Sequence, residues 1–418
     1  MKTPHLRFAC LAAAVLALSG VLTLAPAASA ATPTARFRVA VNRPGRRIPR
    51  GFAGFSIEVD AASRLYLGPA GAPNLVFYQL MKNLGAATLR IGGNSTDDSC
   101  WRPARAPHPQ GCHFTIRRAD VRGFARASAA TGWGVIVGVN LAQNDPAWAA
   151  GYAAAVARAF AAVPGARLLG FELGNEPDLF SRHLLFDHFT ARPEGYSPAD
   201  YLRDWHAYAR ALEARPVTAS VPLYGPAMCC GWLRPGPNSG LAQFLAGVGH
   251  QDLHQVTVHA YPLTHCGHSQ PTVAQLLGPG LLRRYADRAR GWVAIAHGNG
   301  YPIRYGEGNS ISCEGQNGVS NVFAETAWAT DWLFTNFRVG MVGVNFHDGG
   351  QVISLGYHGR GYYYDAVRVR RARLDGRTVY HNQIWPLYYA MYAFARNASG
   401  GRWLPVTGGA AAPVHAYA

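Results

Sequence analysis

The chain has 418 residues, 49% hydrophobic and 15% charged, so it carries material for a sizeable core and is not a disordered chain. Its 39 basic residues against 23 acidic ones give a formal net charge of +16, and only Lys2 and Lys82 among them are lysines. Beyond residue 30 no run of 18 or more apolar residues occurs, which excludes a polytopic membrane protein.

Lys2 and Arg7 flank the start of an apolar run over 8–24 that leads to Ala28-Ser29-Ala30, a small-residue cleavage pattern. Residues 1–30 therefore read as a signal peptide. The mature chain is expected to be secreted or periplasmic, with no stable membrane insertion after cleavage. In that setting the basic balance favours an anionic polysaccharide, and no nucleic-acid partner is expected. The plainer alternative is that scattered arginines solvate the surface.

Residues 31–50 form an N-terminal strand segment, where Phe37, Val39 and Val41 alternate over 36–42 without an evident early partner. From 51 to 397, short β-like runs alternate with helix-like segments, the pattern of a parallel barrel rather than a sandwich. The runs are 52–59, 88–92, 134–140, 168–173, 217–221, 255–260, 302–306 and 341–346. Most are near-continuous apolar stretches, as strands covered on both faces are. Ser197-Pro198-Ala199-Asp200 supplies an N-cap, an N1 proline and an acidic first turn for a helix over 201–212. Ser320 reads as the opening of another over 322–337. Order and size fit a (β/α)8 TIM barrel. A doubly wound nucleotide-binding sheet lacks its GxGxxG, Gly92-Gly93 being the nearest match. Asp375-Gly376, between 362–373 and 377–380, marks a hairpin. Residues 382–394 read as the last barrel helix, and 398–418 as a short tail with one strand over 401–407.

With Cys10 in the leader, an even set of cysteines remains, as suits a disulfide-bearing compartment. Cys100 and Cys112 bracket a local loop, and Cys229 and Cys230 are adjacent. Cys266 and Cys313 follow the sixth and seventh runs, neighbours in a barrel, and are expected to approach at its mouth. The pairing itself is not fixed by sequence. His265-Cys266-Gly267-His268 reads as a solvated loop, so no metal or cofactor is expected.

Barrel enzymes place their chemistry at the C-terminal ends of the strands. Glu176, in Gly174-Asn175-Glu176-Pro177-Asp178, follows the fourth run, and Glu307, in Gly306-Glu307-Gly308-Asn309, ends the seventh. Strands four and seven lie nearly across an eight-stranded ring, so the two carboxylates can converge on one substrate. Two carboxyls about 5–5.5 Å apart suit hydrolysis with retention, one as nucleophile and one as acid then base. Glu172, inside its strand, reads as a salt-bridge partner, and Asp178 as the cap of the following turn.

Gly-Asn-Glu-Pro after strand four, with a Glu ending strand seven, resembles clan A of the retaining glycoside hydrolases. More narrowly, the chain resembles glycoside hydrolase family 79, the β-glucuronidase and heparanase family. The stretches that carry this are 54–58, Leu89-Arg90-Ile91-Gly92-Gly93-Asn94, 171–180 and 306–347 with its Gly318-Val319-Ser320-Asn321. The resemblance implies Glu176 as acid/base, Asn175 on the sugar 2-hydroxyl and Glu307 as nucleophile. It also implies Asp60 and Asn94 on sugar hydroxyls and Tyr261 orienting the nucleophile. Where the family has a Tyr and a glycine-rich turn that receives the sugar carboxylate, this chain has Ser312-Cys313-Glu314-Gly315. Glu314 would repel a uronate unless a cation offsets it, and Arg360 is the candidate clamp. Family members add a β-sandwich, of which the two terminal strands read as a remnant. The expected substrate is a β-glucuronide or a glucuronate-containing polysaccharide. The alternatives are a neutral β-glycoside and a carbohydrate-binding barrel without catalysis.

Overall fold

Strands buried on both faces need helices on the outside, and the described residues form that arrangement. The computed structural model describes residues 35–69, 71–102, 112–181, 190–349, 362–410 and 414–418. The barrel strands are β1 (Ala53–Glu58), β2 (Thr88–Gly92), β3 (Gly134–Val139), β4 (Arg167–Leu173), β5 (Leu223–Met228), β6 (Gln255–Ala260), β7 (Ile303–Gly308) and β8 (Val344–Asp348). They close in the order β7-β8-β1-β2-β3-β4-β5-β6, all parallel. The outer helices are α1 (Leu75–Asn83), α2 (Arg118–Thr131), α3 (Pro146–Ala161), α4 (Pro198–Glu213), α5 (Gly240–Gly247), α6 (Pro279–Gly298), α7 (Phe323–Val339) and α8 (Pro386–Asn397). This is a (β/α)8 TIM barrel. Trp133, Trp205, Trp328 and Trp332 are fully buried in its core. No helix among the described residues is long and apolar enough to cross a membrane.

The strand expected over 217–221 is a turn instead. Thr218 donates its hydroxyl to Leu212 O (2.6 Å) and closes α4, while β5 begins at Leu223. Gly225 and Pro226 disguised β5 as a loop. Gly225 is needed there, because a Cβ would sit 2.5 Å from the buried Trp205 ring. The Ser197 expectation holds: its hydroxyl accepts the Asp200 amide, and Asp200 accepts the Ser197 amide in return. Ser320 does not open α7, which starts at Phe323 after Val322; its hydroxyl bonds Ser310 and the Gln316 amide instead.

The hairpin pairs Val367–Leu374 with Arg377–Ile384 about Asp375-Gly376, so the last helix starts at Pro386 rather than 382. Ala35–Val39 finds its partner at the far end of the chain, antiparallel to Val406–Ala410, which replaces the strand expected over 401–407. The disulfides are Cys100–Cys112, the adjacent Cys229–Cys230, and Cys266–Cys313 with Cα atoms 5.3 Å apart, the pair expected at the mouth. The leader over 1–30 lies outside the described residues.

β1 and β2 meet at a close approach beside the barrel mouth. Gly93 has φ +75°, and a Cβ there would lie 2.3 Å from the Glu58 carboxylate. Gly93→Ala is therefore expected to lower stability by about 1–3 kcal/mol, since strain and clash act together. An unchanged denaturation midpoint would show that the Glu58 carboxylate can move freely.

Candidate active site

The segment after β4 is held by backbone geometry. Gly174 (φ +76°) turns the chain away from the strand, and Glu176 itself sits in the left-handed region at φ +50°. The Glu176 amide donates to Ala227 O at the end of β5 (3.0 Å), and the Asn175 amide donates to Asp97 Oδ2 (2.8 Å). Asp97 also accepts the Leu141 and Ala142 amides, 2.7 and 3.1 Å. One buried carboxylate thus fastens the tips of β3 and β4 together. Burial pushes its pKa up to about 6 against those three amides. A non-glycine residue at positive φ persists only where the surroundings over-determine it, and such positions gather at functional sites.

Across the barrel, β7 breaks register with β6 between Tyr305 and Glu307, and with β8 between Tyr305 and Gly308. Such irregularities re-aim side chains. Here Glu307 points inward, with Oε2 accepting from Arg90 Nη1 (2.9 Å) and Oε1 accepting from the Tyr261 hydroxyl (2.8 Å). Arg90, fully buried in β2, also donates to Glu172, to Ser56 (2.9 Å) and to Asn175 Oδ1 (2.8 Å). Glu172 accepts in addition from Thr257 (2.7 Å). The salt bridge expected of Glu172 is therefore present, and its cation also reaches Glu307.

Oxygen atoms of Glu176 and Glu307 and a ring nitrogen of His259 lie within 4.8 Å of one another. His259 Nδ1 is 3.0 Å from Glu176 Oε1. Burial raises the Glu176 pKa; the His259 contact opposes the rise, and the charges of Glu307 and Asp178 add to it. Burial acts on Glu307 too, but His347, His259, Arg90 and the Tyr261 hydrogen bond outweigh it and hold its pKa down at about 2. The two carboxyls are thus pushed apart, one toward the acid and one toward the carboxylate, as a division of roles between them requires. By spacing alone the three groups could hold a metal ion, and so could Asp178 with Cys229 and Cys230. Both Glu307 oxygens already accept strong donors, and the two cysteines are disulfide-bonded, so neither set presents a free ligand shell.

A histidine network completes the pocket. His347 Nδ1 lies 3.0 Å from the Tyr261 hydroxyl and 2.9 Å from that of Tyr364, and Nε2 lies 3.3 Å from Glu58 Oε1. Although burial opposes it, Glu307 and Glu58 raise the His347 pKa. Glu58 in turn accepts the amides of Asn94 (3.1 Å) and Ser95 (2.7 Å).

Of the residues singled out in the sequence, the fold gathers Glu176, Glu307, Asn175, Asn94 and Tyr261. Asn175 donates to Asn94 Oδ1 at 3.0 Å, which joins two of them directly. Asp60 is buried in the turn after β1, with its carboxylate on the Ala61 amide. Gly315 packs against Tyr364, one ring away from His347. Glu314 is half-buried; burial raises its pKa and His265 opposes the rise. Arg360 lies outside the described residues. Asp178, expected to cap the turn that follows it, accepts the amides of Cys229 (3.2 Å) and Cys230 (2.7 Å) across the mouth.

Sequence reading assigned no role to Arg90, His259, His347 or Asp97. Their one signal was charge or imidazole inside otherwise apolar strands or just after them.

No family model matches the chain. It is similar to the β-glucuronidase of Aspergillus niger, 26% identical over 313 residues, which cover 67% of this chain and 55% of that protein. It is also similar to the β-glucuronidase of Neurospora crassa, 23% identical over 332 residues, covering 73% and 58%. The chain thus spans a little over half the length of these curated relatives. Among solved structures it resembles a 4-O-α-L-rhamnosyl-β-D-glucuronidase from Fusarium oxysporum, with TM-score 0.63 and 16% identity over 87% of this chain and 75% of that one. It also resembles a GH51 arabinofuranosidase from Xanthomonas axonopodis pv. citri, with TM-score 0.64 and 12% identity over 92% and 80%. The chain is therefore similar in sequence to fungal β-glucuronidases and shares its barrel fold with these solved enzymes.

Proposed function

We propose that the chain is a secreted, retaining β-glycosidase of the family 79 type that hydrolyses β-glucuronides by double displacement. The observation that carries this reading is the Glu176–Glu307 pair, with oxygens within 4.8 Å and pKa values displaced in opposite directions. Glu176 protonates the glycosidic oxygen while Glu307 attacks the anomeric carbon, so the leaving group departs as an alcohol and a glycosyl ester forms on Glu307. Glu176, now a carboxylate, takes a proton from water, which attacks the same carbon and frees Glu307. Arg90 and Tyr261 hold Glu307 ionised and aimed. Asn175 and Asn94 are the groups offered to sugar hydroxyls, with Asp60 beside β1.

A neutral β-glycoside is the second reading, favoured by Glu314 on the loop where a uronate carboxylate would lie. A panel of chromogenic β-glucuronide, glucoside, galactoside and xyloside separates the two. The expected result is preference for the glucuronide, with the β-anomer of the product appearing first by NMR. Release of the α-anomer first would overturn the retaining mechanism, and turnover of glucoside alone would establish the second reading.

Activity requires Glu307 ionised and Glu176 protonated, so kcat/KM should be bell-shaped in pH. Its acid limb falls where Glu307 takes up a proton, and its alkaline limb lies above the ordinary glutamate range. In Glu176→Gln the alkaline limb should disappear. A limb that persists in this variant belongs to another group.

A further inference from the structure

The double displacement gives no part to a buried imidazole beside Glu307. His347, 5% exposed in β8, sits between Glu58 of β1 and the Tyr261 hydroxyl after β6. The protons on its ring follow from what each neighbour can give or accept. The Glu307 carboxylate only accepts, at Oε2 from Arg90 and at Oε1 from the Tyr261 hydroxyl. A phenol has a single proton, and that contact takes it. Toward His347 Nδ1, 3.0 Å away, the Tyr261 oxygen can therefore only accept, so Nδ1 carries hydrogen. The Tyr364 oxygen, 2.9 Å from the same nitrogen, shares it.

The second nitrogen faces an anion. The Glu58 carboxylate accepts the Asn94 and Ser95 amides and the Ser95 hydroxyl. His347 Nε2 lies 3.3 Å from Glu58 Oε1, an ion pair rather than an aligned hydrogen bond. A bare lone pair at that distance would repel the carboxylate oxygen, so Nε2 carries hydrogen too. The ring is then an imidazolium. The other charged groups around it are Glu307 at 3.8 Å, Arg90 and Asp365, with the Tyr362 ring 5.6 Å away. Burial and Arg90 lower the His347 pKa, but Glu307 and Glu58 outweigh them and raise it.

The consequence falls on Tyr261. In a neutral ring the proton facing Glu58 would stay, because that carboxylate attracts it, and Nδ1 would become an acceptor. The Tyr261 hydroxyl would then choose between Nδ1 at 3.0 Å and Glu307 Oε1 at 2.8 Å. We propose that His347 is a positioning residue whose Nδ1 proton commits the Tyr261 hydroxyl to Glu307, with Glu58 keeping the ring charged. The proposal rests on Glu307 as the nucleophile and adds the group that fixes its donor.

Two measurements test it. In protein labelled with ¹⁵N-histidine, the His347 ring signals are the pair missing from His347→Asn. Both nitrogens should read as protonated at neutral pH and stay so through the ordinary histidine range. A lone pair on Nδ1 at neutral pH overturns the proposal. The second measurement is turnover of an aryl β-glucuronide at a pH where Glu307 is ionised in every variant. His347→Leu should lower kcat about tenfold while KM changes less than about twofold. His347→Asn, which keeps an N–H donor near the place of Nδ1, should recover most of that loss. In a Tyr261→Phe background no phenol proton is left to direct, and His347→Leu should cost less than about twofold more. Should His347→Leu not fold, His347→Gln replaces it. Equal losses in both backgrounds, or a loss carried by KM without rescue by Asn, would mean that His347 only supports the fold, and the proposal fails. Wild-type turnover keeps the two readings apart. If the glucuronide is cleaved and Nδ1 is bare or the coupling to Tyr261 absent, only the positioning role fails; if no β-glycoside is cleaved, the glycosidase reading fails and the positioning role with it.

Discussion

Glu307→Ala is expected to remove turnover of every glycoside, aryl or natural, by a factor on the order of 10⁴ or more, since loss of the proposed covalent nucleophile disables both halves of the reaction. Glu176→Ala should behave differently. Activated aryl glycosides, whose leaving group departs without a proton, should keep their first step, while substrates with poor leaving groups should lose about 10²–10⁴-fold. Added azide separates the two roles further. In Glu307→Ala it occupies the space of the lost carboxylate and gives an α-glycosyl azide; in Glu176→Ala it attacks the glycosyl ester and gives the β-azide. Near wild-type activity of Glu307→Ala would sink the assignment, and so would azide products of the opposite configuration.

Arg90→Met should be the most destabilising single change in the barrel. Arg90 is a fully buried cation that faces Glu172 and Glu307 and also holds Asn175. Removing it strands two buried carboxylates, for which about 3–5 kcal/mol of lost stability is the ordinary scale. The sign of the pH dependence follows from Glu307. Its folded pKa, about 2, lies below the unfolded value of 4.5. The unfolded chain therefore binds more protons between these values. The stabilisation from ionised Glu307 is present above pH 4.5 and is lost as pH falls toward 2. Without Arg90 the folded pKa rises and that contribution shrinks. The gap between variant and wild type, measured by denaturant midpoints, should be widest at neutral pH and close on acidification. The acid limb of kcat/KM should move up in pH as well. Adding Glu172→Gln should recover part of the stability, because one of the stranded charges is then gone. A variant with the wild-type midpoint and acid limb would show that Arg90 does not hold Glu307.

The sequence by itself determined the barrel and its two strand-end glutamates, because both are written locally. Strands covered on both faces are apolar along much of their length, as in β3. A Gly-Asn-Glu-Pro stretch after such a run signals a turn at the rim. Local rules failed at β5, where the Gly225-Pro226 pair that admits Trp205 looks like a break, and at Ser320, a cap-like residue spent on Ser310 and Gln316. Only the tertiary structure decided the environment of the glutamates. Arg90 is 82 residues from Glu172 and 217 from Glu307, and such separations leave no periodic mark on the chain. An arginine within a short apolar strand reads as an exception until closure of the ring brings carboxylates to it from across the barrel. The same holds for His259 and His347, which reach Glu176 and Tyr261 because all eight parallel strands deliver their C-terminal ends to one rim. Composition and spacing placed the carboxylates, and the closed barrel, by burying them among chosen cations and hydroxyls, raised the pKa of Glu176 and lowered that of Glu307.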